Sequence, residues 1–244
     1  MPRSDSQSAE SGRLDASAPA SSADAGRLAA DFLGHYTEQW QAPWCTGEQA
    51  LQLGLGNGRL ARRLAHRFGR LTVVEGSAAL AAAFTDPPAN CRVVSALFED
   101  FAPERPVDRI LGNHILEHVA DPVAVLRRTR GWLAPGGRAL FTVPNAGSLH
   151  RRIGVELGLL QQPGELNEQD LRLGHRRVYT AGAFRADLEA AGYGVEELRG
   201  YLLKVVSNAQ MKGWPRDLLD AMYRVSLTLP TEYCANLAAV CRLP

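Results

Sequence analysis

The stretch LQLGLGNGRLARRLA, residues 51–65, places three glycines at alternate positions between a short apolar run and a helical pattern. The apolar run predicts a buried strand, and the spacing of leucine and alanine after the glycines predicts an amphipathic helix. Gly54, Gly56 and Gly58 leave the backbone bare, so a ligand can approach it closely. The first turn of the helix would point its free N–H groups towards that ligand. The stretch therefore predicts a strand, a turn and a helix that together bind a small molecule.

The spacing of the glycines excludes two common kinds of nucleotide site. The dinucleotide fingerprint G-x-G-x-x-G needs a third glycine where this chain has Arg59. A phosphate-binding P-loop needs a Gly-Lys-Ser/Thr sequence, which does not occur in the chain. Without side chains at Gly56 and Gly58, a ligand that carries no pyrophosphate can lie flat against the turn. A glycine-rich turn alone does not identify that ligand. The residues at the ends of the following strands are needed to identify it.

Working outward from the turn, short apolar runs alternate with amphipathic segments. Strands are predicted at residues 50–55, 71–76, 91–96, 107–113 and 138–145, and two closing strands at 195–206 and 232–243. Helices are predicted at residues 58–68, 77–85, 121–133, 180–194 and 215–227, with Ser77 and Asp121 as N-caps and Pro122 in a first turn. This alternation predicts an α/β fold, a Rossmann-like, doubly wound and mostly parallel sheet of seven strands.

The domain limits follow from changes in composition. Residues 1–26 are rich in Ser, Ala and Asp, and they predict a disordered tail without the apolar core of a signal peptide. Residues 27–244 form the predicted domain, which opens with a helix carrying Leu28, Phe32, Leu33 and Tyr36 on one face. The alternation stops at about residues 146–178, where arginines are interleaved with apolar residues, and this segment is predicted to be an inserted lid.

The bulk composition excludes several classes of partner. The chain has 244 residues, 45% of them hydrophobic and 22% charged, and its net charge is only +1. No basic stripe interleaved with aromatic residues is present, so we expect no binding to nucleic acid. No apolar run approaches the ~20 residues of a membrane helix, so we expect no membrane span. The four cysteines lack metal-knuckle spacing, which favours reduced thiols in a cytoplasmic protein and no metal.

Ligands of parallel α/β sheets bind at the carboxyl ends of the strands. The predicted strands bring the glycine turn, Glu75, residues 95–99, residues 113–118 and residues 144–145 to that one edge. A carboxylate at the end of the second strand can accept both hydroxyls of a ribose, which favours a nucleoside as the ligand. The alternative for Glu75 is a solvated glutamate before a turn.

Four motifs occur in the same order as in a known family. The glycine turn is followed by VVEGS at 73–77, LEHVADP at 116–122 and LAPGGRALFTVPN at 133–145. From about residue 48 to residue 201 the chain resembles the class I S-adenosylmethionine-dependent methyltransferases, in particular the branch that modifies small molecules. The resemblance implies S-adenosyl-L-methionine as the cofactor. Gln52 stands where the family often has an acidic residue, and so does Leu97.

The resemblance also implies which residues contact the cofactor. The glycine turn would cradle its methionine part, Glu75 would bind the ribose, and Leu97 and Phe98 would flank the adenine. Asn113 and His114 would lie beside the transferable methyl group. The complete predicted cofactor site consists of Gly54, Gly56, Gly58, Glu75, Gly76, Ser77, Leu97, Phe98, Asn113 and His114.

Methyl transfer from a sulfonium mainly needs alignment of the acceptor, and a hydroxyl acceptor also benefits from a general base. Histidine suits that role because its ordinary pKa lies near neutrality. His114 at the strand end is the first candidate for a catalytic residue, and His150 and His175 at the lid are two more. The alternative for His114 is a ring that only shapes the pocket.

The acceptor is expected to be a hydroxyl group of a small molecule, such as a sugar, a nucleotide-linked compound or another secondary metabolite. Arg151, Arg176 and Tyr179 are the predicted substrate-binding residues, because arginine matches carboxylates and phosphates and the acceptor would then be anionic. The arginines could instead pair with acidic residues of the same stretch. Transfer to nitrogen or carbon, a non-catalytic scaffold that binds the nucleoside, and a homodimer stay open.

Overall fold

The parallel strands end at one edge of a seven-stranded sheet. The computed structural model describes residues 9–16 and 34–244. The strands are β1 (Gly47–Leu53), β2 (Phe68–Glu75), β3 (Cys91–Ser95), β4 (Val107–Asn113), β5 (Leu133–Pro144), β6 (Gly194–Tyr201) and β7 (Asn236–Arg242). Their order in the sheet is β3-β2-β1-β4-β5-β7-β6. The pairs of β7 with β5 and with β6 are antiparallel, and the other four pairs in the sheet are parallel. The predicted fold class is therefore confirmed.

Helices cover both faces of the sheet. They are α1 (residues 9–16), α2 (residues 34–41), α3 (Arg59–Ala65), α4 (Ala78–Ala83), α5 (Pro122–Arg130), α6 (Leu149–Glu156), α7 (Glu168–Arg172), α8 (Ala181–Ala190) and α9 (Arg216–Ser226). The predicted caps are present: the side chain of Ser77 accepts a hydrogen bond from the Leu80 amide, and that of Asp121 accepts one from the Ala124 amide. Each such cap typically contributes ~1 kcal/mol.

The two faces of the sheet bury separate hydrophobic clusters. Leu51, Phe141 and Phe184 belong to one cluster, and Leu111 and Tyr201 belong to the other. All five are completely buried. Successive strand residues point to opposite faces, so the second halves of β1 and β4 bury consecutive residues, from Ala50 to Leu53 and from Ile110 to Gly112. This packing fixes the strand ends and hence the edge at which a ligand binds.

The order of the strands also locates the crevice. From β1 the chain adds β2 and β3 on one side, and then returns to place β4 and β5 on the other. This reversal between β1 and β4 is the position at which doubly wound sheets open a crevice at their carboxyl edge. Within residues 9–16 and 34–244, no helix combines the length and the apolar character that a bilayer crossing requires.

The N-terminal region differs from its prediction. Residues 9–16 are helical, although they fall within the tail that is predicted to be disordered. The physical reason is tertiary: Arg13 donates hydrogen bonds to the carbonyls of His118 and Gly174, and Leu14 lies against Gly76. Residues 1–8 and 17–26 of the predicted tail lie outside the described residues. So do Leu28, Phe32 and Leu33 of the predicted first helix, which is seen from residue 34 with Tyr36 fully buried.

Candidate active site

A cavity of about 610 Å³ lies at the carboxyl ends of β1, β2 and β4. Its volume falls in the ordinary range for small-molecule sites. Nine of the ten residues predicted for the cofactor line this cavity, namely Gly54, Gly56, Glu75, Gly76, Ser77, Leu97, Phe98, Asn113 and His114. The structure therefore brings together residues from four segments that are far apart in the sequence.

The three glycines of the turn serve different purposes. All three have positive φ, at +76° for Gly54, +56° for Gly56 and +74° for Gly58. A Cβ on Gly56 would meet nothing within 4 Å, so this glycine leaves open space at the cavity. A Cβ on Gly58 would collide with the ring of Phe84, and Gly58 does not line the cavity. Gly56 thus makes room for a ligand, whereas Gly58 makes room for packing.

Glu75 joins the glycine turn to the end of β2. Its two carboxylate oxygens accept hydrogen bonds from the backbone amides of Leu55 and Ser77, both at 2.7 Å. The side chain is buried yet lines the cavity. A carboxylate has about four lone-pair positions, so two acceptor positions stay available for hydroxyl groups of a ligand.

Gln52 has an unused acceptor at the cavity. Its Nε2 donates to the carbonyl of Gly54 at 2.8 Å, which braces the first glycine. Its Oε1 is buried and has no hydrogen-bond partner within the described part of the chain. A buried polar atom without a partner costs roughly 1–3 kcal/mol. A ligand with a donor group, such as an ammonium, would remove that cost.

His114 follows directly after β4 in a left-handed conformation, with φ of +55°. Its amide donates to the carbonyl of Thr142 at 2.9 Å, which anchors the residue to the end of β5. Its Nδ1 lies 3.1 Å from Oε1 of Glu117. Its Nε2 is buried and finds no partner among residues 9–16 and 34–244.

Glu117 fixes the orientation of that ring. Burial raises the pKa of Glu117, but the hydrogen bond with His114 and the nearby histidines lower it by a larger amount. The pKa of Glu117 therefore lies below its ordinary value. The group is therefore a carboxylate and can only accept, which means that Nδ1 of His114 carries the proton. In a neutral ring this leaves the lone pair on Nε2.

Asn113 is held from both sides. Its Nδ2 donates to Oε1 of Gln41 and its Oδ1 accepts from the hydroxyl of Thr142, each at 3.3 Å. It therefore lines the cavity in a fixed orientation next to His114.

The other two predicted catalytic histidines do not line the cavity. Nδ1 of His175 lies 3.2 Å from Oδ1 of Asp170, and its ring packs edge-on against His118 with centroids 4.7 Å apart. Burial and the nearby Lys204 lower the pKa of His150 to about 3, so this ring is neutral near pH 7. The structure places His175 behind His118 and places His150 in a buried cationic surrounding.

Two of the three predicted substrate-binding residues are engaged in the protein interior and do not line the cavity. The hydroxyl of Tyr179 donates to Asp187 at 2.9 Å, and the residue is buried. Arg151 is also buried and pairs with Asp170 at 3.2 Å. It further donates to the carbonyls of Pro163 and Glu165, so it braces the segment between α6 and α7.

Arg176 does not line the cavity, although its partner Glu10 does. It pairs with Glu10 at 2.9 Å and donates to the carbonyl of His118 at 3.0 Å. Leu173 is the residue of the predicted lid that lines the cavity. The segment at 146–178 therefore reaches the site through its last part, and its role as a lid stays a prediction.

Sequence reasoning missed the residues that α1 contributes. Glu10, Arg13 and Leu14 line the cavity, and Asp15 accepts a hydrogen bond from the hydroxyl of Ser77 at 2.6 Å. The sequence gives only a weak indication of this helix, because α1 is one short amphipathic stretch within a polar segment. The residues that it contacts lie far away in the sequence.

Comparisons with known proteins agree with this geometry. A model of the methyltransferase domain family matches residues 37–198, about two thirds of the chain. The ubiquinone biosynthesis O-methyltransferase of Pseudomonas syringae is 33% identical over 107 residues, which cover 41% of this chain and 45% of that protein. The matched segment thus spans less than half of this relative's length.

Two solved structures have the same fold. The complex of DhpI with SAM and HEP has a TM-score of 0.59 at 21% identity and covers 99% of this chain and 100% of that one. The N-methyltransferase NodS from Bradyrhizobium japonicum with S-adenosyl-L-homocysteine has a TM-score of 0.54 at 16% identity, covering 98% and 97%. The chain belongs to the methyltransferase domain family, and its resemblance to the class I S-adenosylmethionine-dependent methyltransferases is confirmed.

Proposed function

We propose that this chain transfers a methyl group from S-adenosyl-L-methionine to a hydroxyl of a small molecule, with His114 as the general base. The observation that carries the proposal is the pair of His114 and Glu117 at the end of β4, whose geometry leaves a lone pair on Nε2 of the histidine. Family membership and the O-methyltransferase relative support the reaction class.

The cofactor fits the cavity through groups of complementary chemistry. The open backbone at Gly56 accommodates the methionine part, and Oε1 of Gln52 accepts from its ammonium group. Glu75 keeps acceptor positions for the two ribose hydroxyls. Leu97 and Phe98 supply apolar surface for the adenine. The cofactors and ligands named for DhpI and NodS agree with this assignment.

The chemical step is an in-line displacement. The acceptor oxygen forms a bond to the methyl carbon, the bond from carbon to sulfur breaks, and its electron pair stays on the sulfur. The hydroxyl proton moves to Nε2 of His114. Alignment at about 3–3.5 Å supplies most of the acceleration, and a positioned base typically adds ~10²–10⁴-fold. Glu117 is a positioning residue, because it acts by holding the ring of His114.

The test follows a labelled methyl group from the cofactor into a panel of hydroxyl and amine acceptors. We expect a C–O bond in the product, and we expect His114→Asn to lower kcat at least ~100-fold. The affinity for S-adenosylhomocysteine, measured by calorimetry, should change less than about threefold. His66→Asn, at the exposed residue that follows α3, is the matched control.

Full turnover of the His114→Asn variant with a hydroxyl acceptor would remove His114 as the base. Binding of S-adenosylhomocysteine without methyl transfer to any acceptor would favour a non-catalytic scaffold. The absence of binding at millimolar ligand would overturn the cofactor assignment itself.

A further inference from the structure

Three side chains with metal-ligating atoms converge at the wall of the cavity. Glu117, His118 and His175 each offer one ligand atom, and these atoms all lie within 4.8 Å of one another. His118 lines the cavity, while Glu117 is fully buried behind it. His175 lies 57 positions after His118 in the sequence, so the fold brings the two residues together.

The hydrogen bonds of the cluster leave acceptor atoms unused. Oε1 of Glu117 pairs with His114, but Oε2 is buried and has no hydrogen-bond partner in the part of the chain that the structure covers. Nδ1 of His175 faces Oδ1 of Asp170 at 3.2 Å. Because a carboxylate only accepts, Nδ1 of His175 carries a proton, and in a neutral ring its Nε2 carries the lone pair. Both atoms have the form that a metal ion needs.

Asp170 gives His175 the support that metal-binding histidines usually have, a carboxylate on the second ring nitrogen. Oδ2 of Asp170 is in turn held by Arg151 at 3.2 Å and by the backbone amide of Asn167 at 3.1 Å. The amide of Asp170 donates to the side chain of Asn167, which completes a capping box at the start of α7. The ring of His175 is therefore fixed by a second layer of contacts.

One carboxylate offsets part of the positive charge beside the cluster. Arg13 pairs with Glu10 at 2.6 Å, and Arg176 pairs with the same glutamate. The rings of His118 and His175 pack edge to face with centroids 4.7 Å apart, so the two imidazoles are already neighbours.

We propose that Glu117, His118 and His175 bind a divalent transition-metal ion such as Zn²⁺ or Fe²⁺ at the wall of the cavity. Two imidazoles and one carboxylate are a ligand set that these ions use, and three protein ligands leave a coordination position free. Ligand distances of about 2.0–2.2 Å require the three atoms to approach by roughly 1 Å, through small side-chain rotations.

The free coordination position would allow the ion to bind the methyl acceptor. This part of the inference rests on the proposed function. His118 places the ion on the cavity side, and Glu117 links it to His114. An oxygen of the acceptor bound at the free position would be held beside His114, and its proton would be easier to remove. The site therefore favours acceptors with a hydroxyl oxygen that ligates a metal, such as a phenol or a hydroxy acid.

The test uses the full, untagged chain after treatment with a chelator, titrated with Co²⁺ and followed by its visible absorption. We expect one equivalent to bind with the intense bands of a low-symmetry nitrogen and oxygen site, and Zn²⁺ to displace it. His175→Gln and Glu117→Gln should each weaken Co²⁺ binding at least 100-fold. His66→Gln and Glu156→Gln, at exposed positions, are the matched controls.

The variant Asp170→Asn tests the contact that supports the ring of His175. It should weaken Co²⁺ binding by roughly 10–100-fold without removing a ligand. Thermal melting and calorimetry with S-adenosylhomocysteine show whether each variant is folded. A folded His175→Gln variant that binds Co²⁺ like the unsubstituted chain, or a chain that binds no Co²⁺ at one equivalent, would overturn the metal site. Neither result depends on methyl transfer, so the proposed function is judged separately.

Discussion

The two walls of the cavity are built in different ways. The wall at Gly54, Gly56 and Glu75 is held by backbone groups near in sequence or on adjacent strands, such as the amide of Leu55 bonded to Glu75 across 20 positions. The wall at α1 is held by side chains that reach much farther: Arg13 contacts the carbonyl of His118 across 105 positions and that of Gly174 across 161.

The difference predicts different mobility. Regular strand pairing surrounds the glycine wall, since Gly54 donates to the carbonyl of Val74 at 2.8 Å. Helix α1 has eight described residues, and an isolated helix of that length is marginal in water. Its order depends on a few side-chain contacts, and such elements open at low free-energy cost. We expect the glycine wall to set the affinity for the cofactor and α1 to be the wall that moves when ligands enter.

The largest expected effect comes from filling the glycine wall. Gly56→Val would place a branched side chain in the open space beside the turn, so we expect affinity for S-adenosylhomocysteine to fall more than about 100-fold, or ~2.7 kcal/mol. Calorimetry measures the affinity, and thermal melting measures the stability.

The control substitution must introduce the same backbone strain at a position that lies outside the cavity. Gly136→Val serves, because Gly136 has φ of +77° and open space around it but lies outside the cavity lining. We expect both variants to lose stability to a similar extent through the left-handed conformation. Only Gly56→Val should lose affinity. Equal affinity in the two variants would place the ligand elsewhere.

The same contrast explains which parts of the structure can be predicted from the sequence. Strand ends, the caps at Ser77 and Asp121, and Glu75 follow from local periodicity and from the rule that parallel strands end at one edge. The residues of α1 do not follow, because side-chain contacts over more than 100 positions order them. For the same reason, Tyr179 and Arg151 have the right chemistry for a substrate but point into the interior.

A smaller effect is expected at the third glycine. Gly58→Ala would drive a methyl group into the ring of Phe84 and would keep φ near +74°. Strain and overpacking of this kind typically cost ~1–3 kcal/mol. We expect a lower free energy of unfolding in denaturant titration. Phe84→Ala in the same background should recover part of the loss by removing the clash.

Because Gly58 does not line the cavity, affinity per folded molecule should stay within about threefold of the unsubstituted chain. A loss of affinity as large as that of Gly56→Val, with unchanged stability, would contradict the division of roles between the two glycines.

The smallest expected effect tests the wall at α1. A chain that starts at residue 17 lacks the contacts of Leu14 with Gly76 and of Asp15 with Ser77. We expect its affinity for S-adenosylhomocysteine to fall about tenfold, or ~1.4 kcal/mol, chiefly through faster dissociation in stopped-flow measurements. A chain that starts at residue 9 keeps α1 and is the matched control. Unchanged dissociation in the shorter chain would mean that α1 covers the cavity without holding its ligand.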